Sequence, residues 1–510
     1  MTSSIQYQGD IAAMMHRLGA KQLNTDINLK PMDCLGLAED SQHINKDYLF
    51  IARPGTQSDG RRYIHQAIEN GALAILCELN GIEKFVQATQ CSIAIYAIEN
   101  LAQTMGKLSA DFYGNPSDEL VVIGVTGTNG KTSCTQLLAK VLDNLGEKAA
   151  VMGTLGNGPV NHLEETTNTT TDAITLQTYL AEFRDSAIEL VSMEVSSHAL
   201  IQGRVNAVRF STALFTNLTR DHLDYHGDME SYAKAKKLLL TKADLETVVI
   251  NADDAMGAKY ILDEEITANK YSFSITPINA RDADNSVWTE AVSFHDSGIE
   301  AEIVTPWGNI QFSTSMIGQF NLSNCLGVIT TLGAMGYPVK DVARELATMP
   351  FVKGRMERFG GDNKPLVIVD YAHSPDALKH VLLALKPHTN HKLWAVFGCG
   401  GDRDKGKRSE MATLAERFAD HLVFTSDNPR NEAIEDIIND MLTGLNEPSS
   451  CTVEYNREQA IINSISQAVL GDVVLIAGKG HEKVQVIGDQ KIPFSDEEIV
   501  NKALAKGSWK

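Results

Sequence analysis

The run Gly127-Thr128-Asn129-Gly130-Lys131-Thr132 lies between the apolar stretch Leu120-Val121-Val122-Ile123 and a helical pattern. Glycines at 127 and 130 let the backbone curl so that successive N–H groups face phosphate oxygens. The N-terminus of the following helix adds a favourable dipole. Lys131 is suited to reach β- and γ-phosphates, and the Thr132 hydroxyl to bind Mg²⁺. The strict GxxxxGK[ST] pattern asks for glycine at 125, where this chain has Val125; its glycines stand at 124 and 127. An ordinary glycine turn before a helix is the alternative. Strand, loop, Lys-Thr pair and helix agree instead on a bound nucleotide, without naming a reaction.

Glu194 closes the apolar run Ile188 to Val195 and is followed by Ser196-Ser197-His198. A carboxylate there is either a solvated strand end or a metal ligand near the phosphates, and the polar cluster after it favours the ligand. The segment Thr216 to His226 is too polar for a core element. Within it Asp221, Asp224 and His226 surround His222, which could be a second metal ligand through neutral imidazole. The seven cysteines are scattered without a CxxC pair, as in a reducing compartment. Cys399 lies in a glycine-rich loop, where packing is the expected role rather than catalysis.

These side chains need elements to hold them. Leu137, Leu138, Val141, Leu142 and Leu145 share one helical face after the glycine loop. A strand, a glycine turn and a helix in that order imply a parallel α/β sheet. From about Phe351 the pattern alternates again, with strands expected at Leu366-Val369, Leu393-Phe397, Leu422-Thr425 and Val473-Ala477. Each is followed by polar or glycine-rich residues, at the carboxyl edge where open α/β sheets bind ligands. Before residue 100, Ala72-Leu76 and Ile93-Tyr96 are short apolar runs, and Gly55 to Arg62 reads as an exposed loop.

A length of 510 residues suggests about three domains. Apolar residues at 43% and charged residues at 22% describe an ordinary globular chain. A net charge of −20 argues against nucleic acid or an anionic membrane as partner, though a local pocket can still be basic. No apolar run is long enough to span a bilayer, and the first twenty residues lack a signal-peptide core, so a cytoplasmic location is expected. An Asn-Lys-x-Asp guanine signature is absent: Asn45-Lys46-Asp47-Tyr48 and Asn363-Lys364-Pro365-Leu366 both fail at the fourth position.

Thr126 to Thr132, Glu194-Val195-Ser196-Ser197-His198 and Asp221-His222-Leu223-Asp224 together resemble the Mur ligase family, which extends the peptide stem of the bacterial cell-wall precursor. The likeness continues through Asn251-Ala252-Asp253-Asp254, Gly318 to Asn324, Gly354-Arg355-Met356-Glu357 and Asp370-Tyr371-Ala372-His373. It runs on through Gly400 to Gly406 and Gly478-Lys479-Gly480-His481-Glu482. The resemblance implies an α/β protein of three domains. Residues 1–100 would bind a UDP substrate. Residues 101–350 would form a P-loop-type mononucleotide-binding parallel sheet, and 351–510 a Rossmann-like domain for the amino acid.

Asp427-Asn428-Pro429-Arg430 matches the branch of the family that selects meso-diaminopimelate. A guanidinium can grip the second carboxylate that lysine lacks. The implied reaction adds meso-2,6-diaminopimelate to the D-glutamate of UDP-N-acetylmuramoyl-L-alanyl-D-glutamate through an acyl phosphate. A lysine-adding ligase and folylpolyglutamate synthase are the alternatives. ATP contacts would come from Gly127, Thr128, Asn129, Gly130, Lys131, Thr132, Ser133, Asn321, Asn324, Arg355, Asp370 and His373. Ser41, Thr56, Gln57 and Ser58 would hold the uridine nucleotide, and Asn168, Thr169, Thr170, Ser196, Gln202 and Arg204 the muramoyl dipeptide.

Arg403, Asp427, Asn428, Pro429, Arg430, Gly478 and Glu482 would hold diaminopimelate, with Glu482 suited to an amino group. Lys236 matches the family's carboxylated lysine, whereas from the residues alone it reads as a solvated helix face. Mg²⁺ would be bound by Thr132, Glu194, His222 and the carbamate of Lys236. Catalysis would rest on Lys131, Lys236, His222, Glu194 and Arg355. Small-molecule substrates, no nucleic acid, no membrane and a monomeric state complete the expectation.

Overall fold

The computed structural model describes residues 7–27, 33–55, 58–85, 87, 91–166, 168–277, 285–295, 298–349, 354, 356–361 and 363–507. The chain divides into two compact units. One comprises Met1–Thr126, Gly146–Ala213 and Glu230–Glu246; the other comprises Gly127–Leu145, Leu214–Met229 and Thr247–Lys510.

In the first unit, a five-stranded sheet runs in the order Lys21–Gln22, Ala94–Ile98, Ala74–Glu78, Tyr48–Ala52, Gly36–Ala38. Its pairs are parallel except at Lys21–Gln22. Side chains alternate between faces at period two. Leu49, Ile51, Ala74 and Leu76 enter one core, and Phe50, Ala52, Ile75 and Cys77 the other. Burial on both faces explains why these strands are continuous apolar runs. The expected exposed loop at 55–62 holds at Gly55, Ser58 and Arg62, which are exposed, and is corrected at Arg61. Gly60–Tyr63 is a 3₁₀ turn, and Arg61 is buried, donating to Asp59 at 2.9 and 2.7 Å and to the Asn80 carbonyl.

The same unit carries the strands Gly156–Pro159, Ala149–Gly153, Leu190–Glu194 and Val121–Thr126, adjacent in that order. Leu190–Glu194 pairs in parallel with Val121–Thr126, setting Glu194 opposite Val125, two residues before the glycine loop.

In the second unit, Thr247–Asn251, Asn269–Ser274 and Ser286–His295 pair in parallel. Gly298–Val304 and Ile310–Thr314 then extend the ladder antiparallel. A six-stranded sheet has the order Glu357–Gly360, Leu366–Asp370, Val473–Ala477, Leu393–Phe397, His421–Phe424, Cys451–Val453. All its pairs are parallel except the first. Leu366 and Ile368 enter one core and Val367 and Val369 the other, so this sheet too is covered on both faces. Val473–Ala477 lies between Leu366–Asp370 and Leu393–Phe397, so the strand order departs from the chain order there.

Candidate active site

The helix Lys131–Asn144 starts at Gly130, whose φ is +85°, and the loop begins at Gly127 with φ +150°. Both glycines are required by close approach as well as by backbone angle. A Cβ on Gly127 would lie 1.9 Å from Thr216 Oγ1, and one on Gly130 2.6 Å from Asn324 Oδ1. The polar segment after Phe215 is the splint of this loop. Thr128 N–H donates to the Asn217 carbonyl at 2.9 Å, Asn129 N–H to Asn217 Oδ1 at 2.9 Å, and Thr216 Oγ1 to the Asn129 carbonyl at 2.6 Å. Thr216 and Asn217 were not singled out from sequence, although the segment's polarity was the available signal.

Lys131 Nζ folds back onto the carbonyls of Gly127 and Thr128, at 2.9 and 2.7 Å. The first intrahelical bond runs from Cys134 N–H to the Gly130 carbonyl at 2.9 Å. The N–H groups of the helix's first turn precede that bond, and a helix start of this kind favours an anion. Asn321 and Asn324 are buried on the helix Gln319–Ala334; Asn321 Nδ2 donates to the Ile317 carbonyl at 2.8 Å, and Asn324 Oδ1 accepts from Cys134 Sγ at 3.4 Å.

In the first unit, Glu194 is 2% exposed rather than a solvated strand end. Its Oε1 accepts from Thr154 N–H at 2.8 Å and its Oε2 from Thr154 Oγ1 at 3.2 Å. Thr154 Oγ1 also meets Thr169 Oγ1 at 3.2 Å. Thr170 Oγ1 donates to the Glu194 carbonyl at 2.8 Å and accepts from Ser196 N–H at 3.1 Å. Arg204 Nη1 donates to the Thr170 carbonyl at 2.6 Å, while Nε and Nη2 hold Gln202 Oε1 at 3.0 and 2.6 Å. Thr169, Thr170, Ser196, Gln202 and Arg204 are therefore gathered beside Glu194; Asn168 is exposed and bonds to Thr166.

Lys236 is 1% exposed on the helix Met229–Leu240, with Nζ 4.5 Å from the centre of the Tyr232 ring. The solvated-face reading of its sequence fails, because Tyr232, Ala233, Ala235, Leu239 and Leu240 turn inward with it. Lys234 faces outward and pairs with Glu230 at 2.7 Å. His222 has φ +53° at the start of the short helix Leu223–His226, and its Nε2 lies 3.4 Å from Asp221 Oδ2. Among the described residues, no three His, Cys, Asp or Glu side chains form a ready metal cluster.

At the carboxyl edge of the C-terminal sheet, Asp370 accepts from Met356 N–H at 2.7 Å and Ala372 N–H at 2.8 Å. His373 is exposed, with Nδ1 2.8 Å from the Tyr371 carbonyl oxygen. Arg355, Thr56 and Gln57 lie outside the described residues. Ser41 is buried, with Oγ donating to Gln66 Oε1 at 2.9 Å, and Ser58 is exposed. Cys399 packs its sulfur 3.8 Å from Met411 Sδ, and burial pushes its thiol up to about 12, as a packing role requires.

Asp427 and Asn428 are buried where strand His421–Phe424 gives way to its loop. Gly478, at φ +116°, faces Asp427 so closely that a Cβ would stand 2.5 Å from Oδ2. Asn428 Nδ2 donates to Glu482 Oε2 at 2.9 Å, and its Oδ1 accepts from Lys479 Nζ and Val486 N–H, each at 2.9 Å. Lys479 Nζ also lies 2.7 Å from Glu482 Oε2. Glu482 is thus already paired at one oxygen by the fully buried Lys479, a role that the sequence alone does not show.

Pro429 leads into Arg430, which adopts φ +50°. The main chain of Arg430 is pinned by the turn after Val484–Ile487: its N–H donates to the Val486 carbonyl at 3.1 Å and its carbonyl accepts from Gly488 N–H at 2.8 Å. Arg430 Nη1 donates to the Gly401 carbonyl at 2.8 Å. Nε and Nη2 have no protein partner among the described residues, which leaves the two-pronged edge of the guanidinium for a ligand. Arg403 is exposed and donates to the Asp402 carbonyl at 3.1 Å.

Three family descriptions match the chain: the Mur ligase family catalytic domain over residues 36–113, the Mur ligase middle domain over 125–332, and the Mur ligase glutamate ligase domain over 354–480. The chain belongs to the Mur ligase family. It is 43% identical over 484 residues to the UDP-N-acetylmuramoyl-L-alanyl-D-glutamate–2,6-diaminopimelate ligase of Coxiella burnetii, covering 95% of this chain and 97% of that protein. A solved structure of a UDP-N-acetylmuramoyl-L-alanyl-D-glutamate–2,6-diaminopimelate ligase matches with TM-score 0.69 and 32% identity, covering 98% of this Mur ligase and 99% of that chain. Folylpolyglutamate synthase of Mycobacterium tuberculosis, solved with ADP, shares the fold at TM-score 0.61 and 17% identity, over 74% of this chain and 92% of its own.

Proposed function

We propose that this Mur ligase is an ATP-dependent ligase that joins meso-2,6-diaminopimelate to the D-glutamate of UDP-N-acetylmuramoyl-L-alanyl-D-glutamate, a step of peptidoglycan precursor synthesis. The 43% identical Coxiella relative and the Arg430 geometry support the same amino acid. The carrying observation is the edge of Arg430: Nη1 is anchored on Gly401 while Nε and Nη2 are left for a carboxylate. Diaminopimelate supplies that carboxylate and lysine does not. A half-buried guanidinium facing lysine would lack its partner, a mismatch that disfavours the analogue.

The chemistry is phosphoryl transfer followed by amide formation. The D-glutamyl carboxylate attacks the γ-phosphorus of ATP and ADP departs, leaving an acyl phosphate. The amine of diaminopimelate then attacks the acyl carbon, and inorganic phosphate leaves from the tetrahedral adduct with loss of a proton to solvent. Lys131 and the N–H groups at the start of its helix bind phosphate oxygens, and Arg355 adds positive charge to the transferring group. Asn321, Asn324, Asp370 and His373 complete the nucleotide contacts.

Thr169, Thr170, Ser196, Gln202 and Arg204, with Asn168, hold the muramoyl dipeptide, and Ser41, Thr56, Gln57 and Ser58 the uridine nucleotide. Asp427, Asn428, Gly478, Glu482 and Arg403 surround the amino acid with Arg430. The acyl phosphate has to be kept from water, since hydrolysis would waste it.

Mg²⁺ fits the donors present. Glu194 offers a buried carboxylate oriented by Thr154, and Thr132 a hydroxyl at the helix start. Bound there, or by His222 and Lys236, Mg²⁺ would neutralise phosphate charge. An ammonium cannot ligate a cation, and a buried one is costly. The near-complete burial of Lys236 supports its reaction, as the deprotonated amine, with CO₂ to a carbamate with release of a proton, which turns it into an oxygen donor.

The domain roles proposed are uridine-nucleotide binding by 1–100, ATP binding by 101–350 and amino-acid binding by 351–510. A cytoplasmic monomer is proposed; no described helix is long and apolar enough to cross a membrane. Mass spectrometry of the product formed from ATP, UDP-dipeptide and an equimolar mixture of diaminopimelate and L-lysine tests the reading. A product carrying diaminopimelate is expected, and one carrying mainly lysine would overturn it.

A further inference from the structure

Behind the amino-acid site lies a buried ion pair that the reaction does not touch. Arg457 begins the helix Arg457–Gln467 and is 1% exposed; Asp496 begins the helix Asp496–Lys506 and is fully buried. Arg457 Nε donates to Asp496 Oδ1 at 2.8 Å and Nη2 to Asp496 Oδ2 at 2.7 Å, a two-pronged pair. The remaining donors point elsewhere. Nη1 reaches the Ser426 carbonyl at 3.2 Å, and Nη2 also reaches the Ala477 carbonyl at 3.0 Å.

The identity of those carbonyls carries the argument. Ser426 directly precedes Asp427, and Ala477 directly precedes Gly478. They stand at the ends of two strands, His421–Phe424 and Val473–Ala477, that are not neighbours, because Leu393–Phe397 runs between them. No ladder hydrogen bond can therefore set the distance between these two ends. One rigid guanidinium, held by Asp496, spans them. On the far side of the same peptides, Gly478 approaches Asp427 to the limit a glycine allows. Gln485 Nε2 adds bonds to Ser426 Oγ at 2.9 Å and to the Asp427 carbonyl at 2.6 Å.

We infer that Arg457, fixed by Asp496, is a positioning residue for amino-acid selection: it sets the spacing of the Asp427 and Gly478 loops and through them the seat of the acceptor. The inference rests on the proposed diaminopimelate site. A salt bridge kept only for stability would be replaceable, since exchanging both members of a buried pair for apolar side chains of similar volume is often neutral or stabilising. Such an exchange removes the two carbonyl bonds, and with them the clamp.

The test compares wild type, Asp496→Asn and the double variant Arg457→Met/Asp496→Leu. Thermal unfolding and steady-state KM values for ATP, UDP-dipeptide and diaminopimelate are measured on the full chain. In the double variant, a near-wild-type melting temperature is expected together with a KM for diaminopimelate raised by roughly tenfold or more, because small misplacements of a substrate are costly. KM for ATP and for the UDP-dipeptide should stay within about twofold. Asp496→Asn keeps the carbonyl bonds and should lower the melting temperature while changing KM for diaminopimelate little.

A stably folded double variant with unchanged KM for diaminopimelate overturns the inference, as does an equal rise in all three KM values. Should the double variant fail to fold, Arg457→Lys replaces it: a raised KM for diaminopimelate alone is expected, and an unchanged one overturns the inference. Wild type that does not use diaminopimelate would instead defeat the proposed function itself.

Discussion

Replacing Arg430 with lysine isolates the feature that separates diaminopimelate from lysine. Lysine keeps the positive charge and meets the same backbone demand at φ +50°, but it has no planar fork. Two charge-assisted hydrogen bonds, from Nε and Nη2, would be lost. Each is worth about 1.5–3 kcal/mol in general, and partial exposure of Arg430 places these at the low end, for a total of about 3 kcal/mol. At about 1.4 kcal/mol per tenfold, kcat/KM for diaminopimelate should fall about a hundredfold. The value for L-lysine, which never engaged those donors, should change by no more than a few-fold.

The assay is phosphate release at saturating ATP and UDP-dipeptide, with each amino acid varied separately. The preference for diaminopimelate should contract by the same hundredfold. Equal losses for the two amino acids, or an unchanged preference, would refute the assignment of this edge to the second carboxylate.

Gly127→Ala would force a methyl group to 1.9 Å from Thr216 Oγ1 at φ +150°, so ATP affinity by calorimetry should weaken at least roughly tenfold; unaltered affinity would separate the loop from the nucleotide. Lys236→Ala should nearly abolish turnover while leaving ATP binding measurable, and wild type should lose activity when CO₂ and bicarbonate are removed. Activity like that of wild type in both experiments would remove the carbamate from the mechanism.

Glu432 is held down to about 2 by hydrogen bonds from Arg408 and from the Asp402 N–H. Its folded value lies below its ordinary 4.5, so its stabilising contribution is present above that value and is lost as pH falls through about 2. The stability gap between wild type and Glu432→Gln in urea should accordingly shrink between pH 5.5 and 3, and a gap constant across that range would contradict the linkage.

The strands were legible where both faces are covered, because Leu393–Phe397 and Val473–Ala477 must then be apolar throughout. The antiparallel extension was not. Ser286–His295 is buried only at Ser286, Val287 and Thr289 and alternates between exposed and half-buried from Ala291 onward, with a register shift after Thr289 that interrupts its period. Motifs located the glycine turn at 127–130 and the Arg430 turn, since glycine and proline spacing is a local signal. Burial of charge was not local. Lys234, Lys236 and Lys237 are chemically alike in sequence, and only the packing of Tyr232 and Leu239 turns one of them inward.

Lys479 and Arg457 are hidden for the same reason. Each finds its partners, Glu482 and Asn428 or Asp496 and two carbonyls, through the folding of the C-terminal sheet. Arg61 likewise reads as loop surface until Asp59 and Asn80 close around it.

The most direct test of the central claim is phosphate release from ATP by the purified chain, measured with all substrates and with each one omitted. Rapid release is predicted only when ATP, UDP-N-acetylmuramoyl-L-alanyl-D-glutamate and meso-diaminopimelate are present together, with one phosphate formed per amide bond. Release of comparable rate without diaminopimelate, or with L-lysine in its place, would contradict the account.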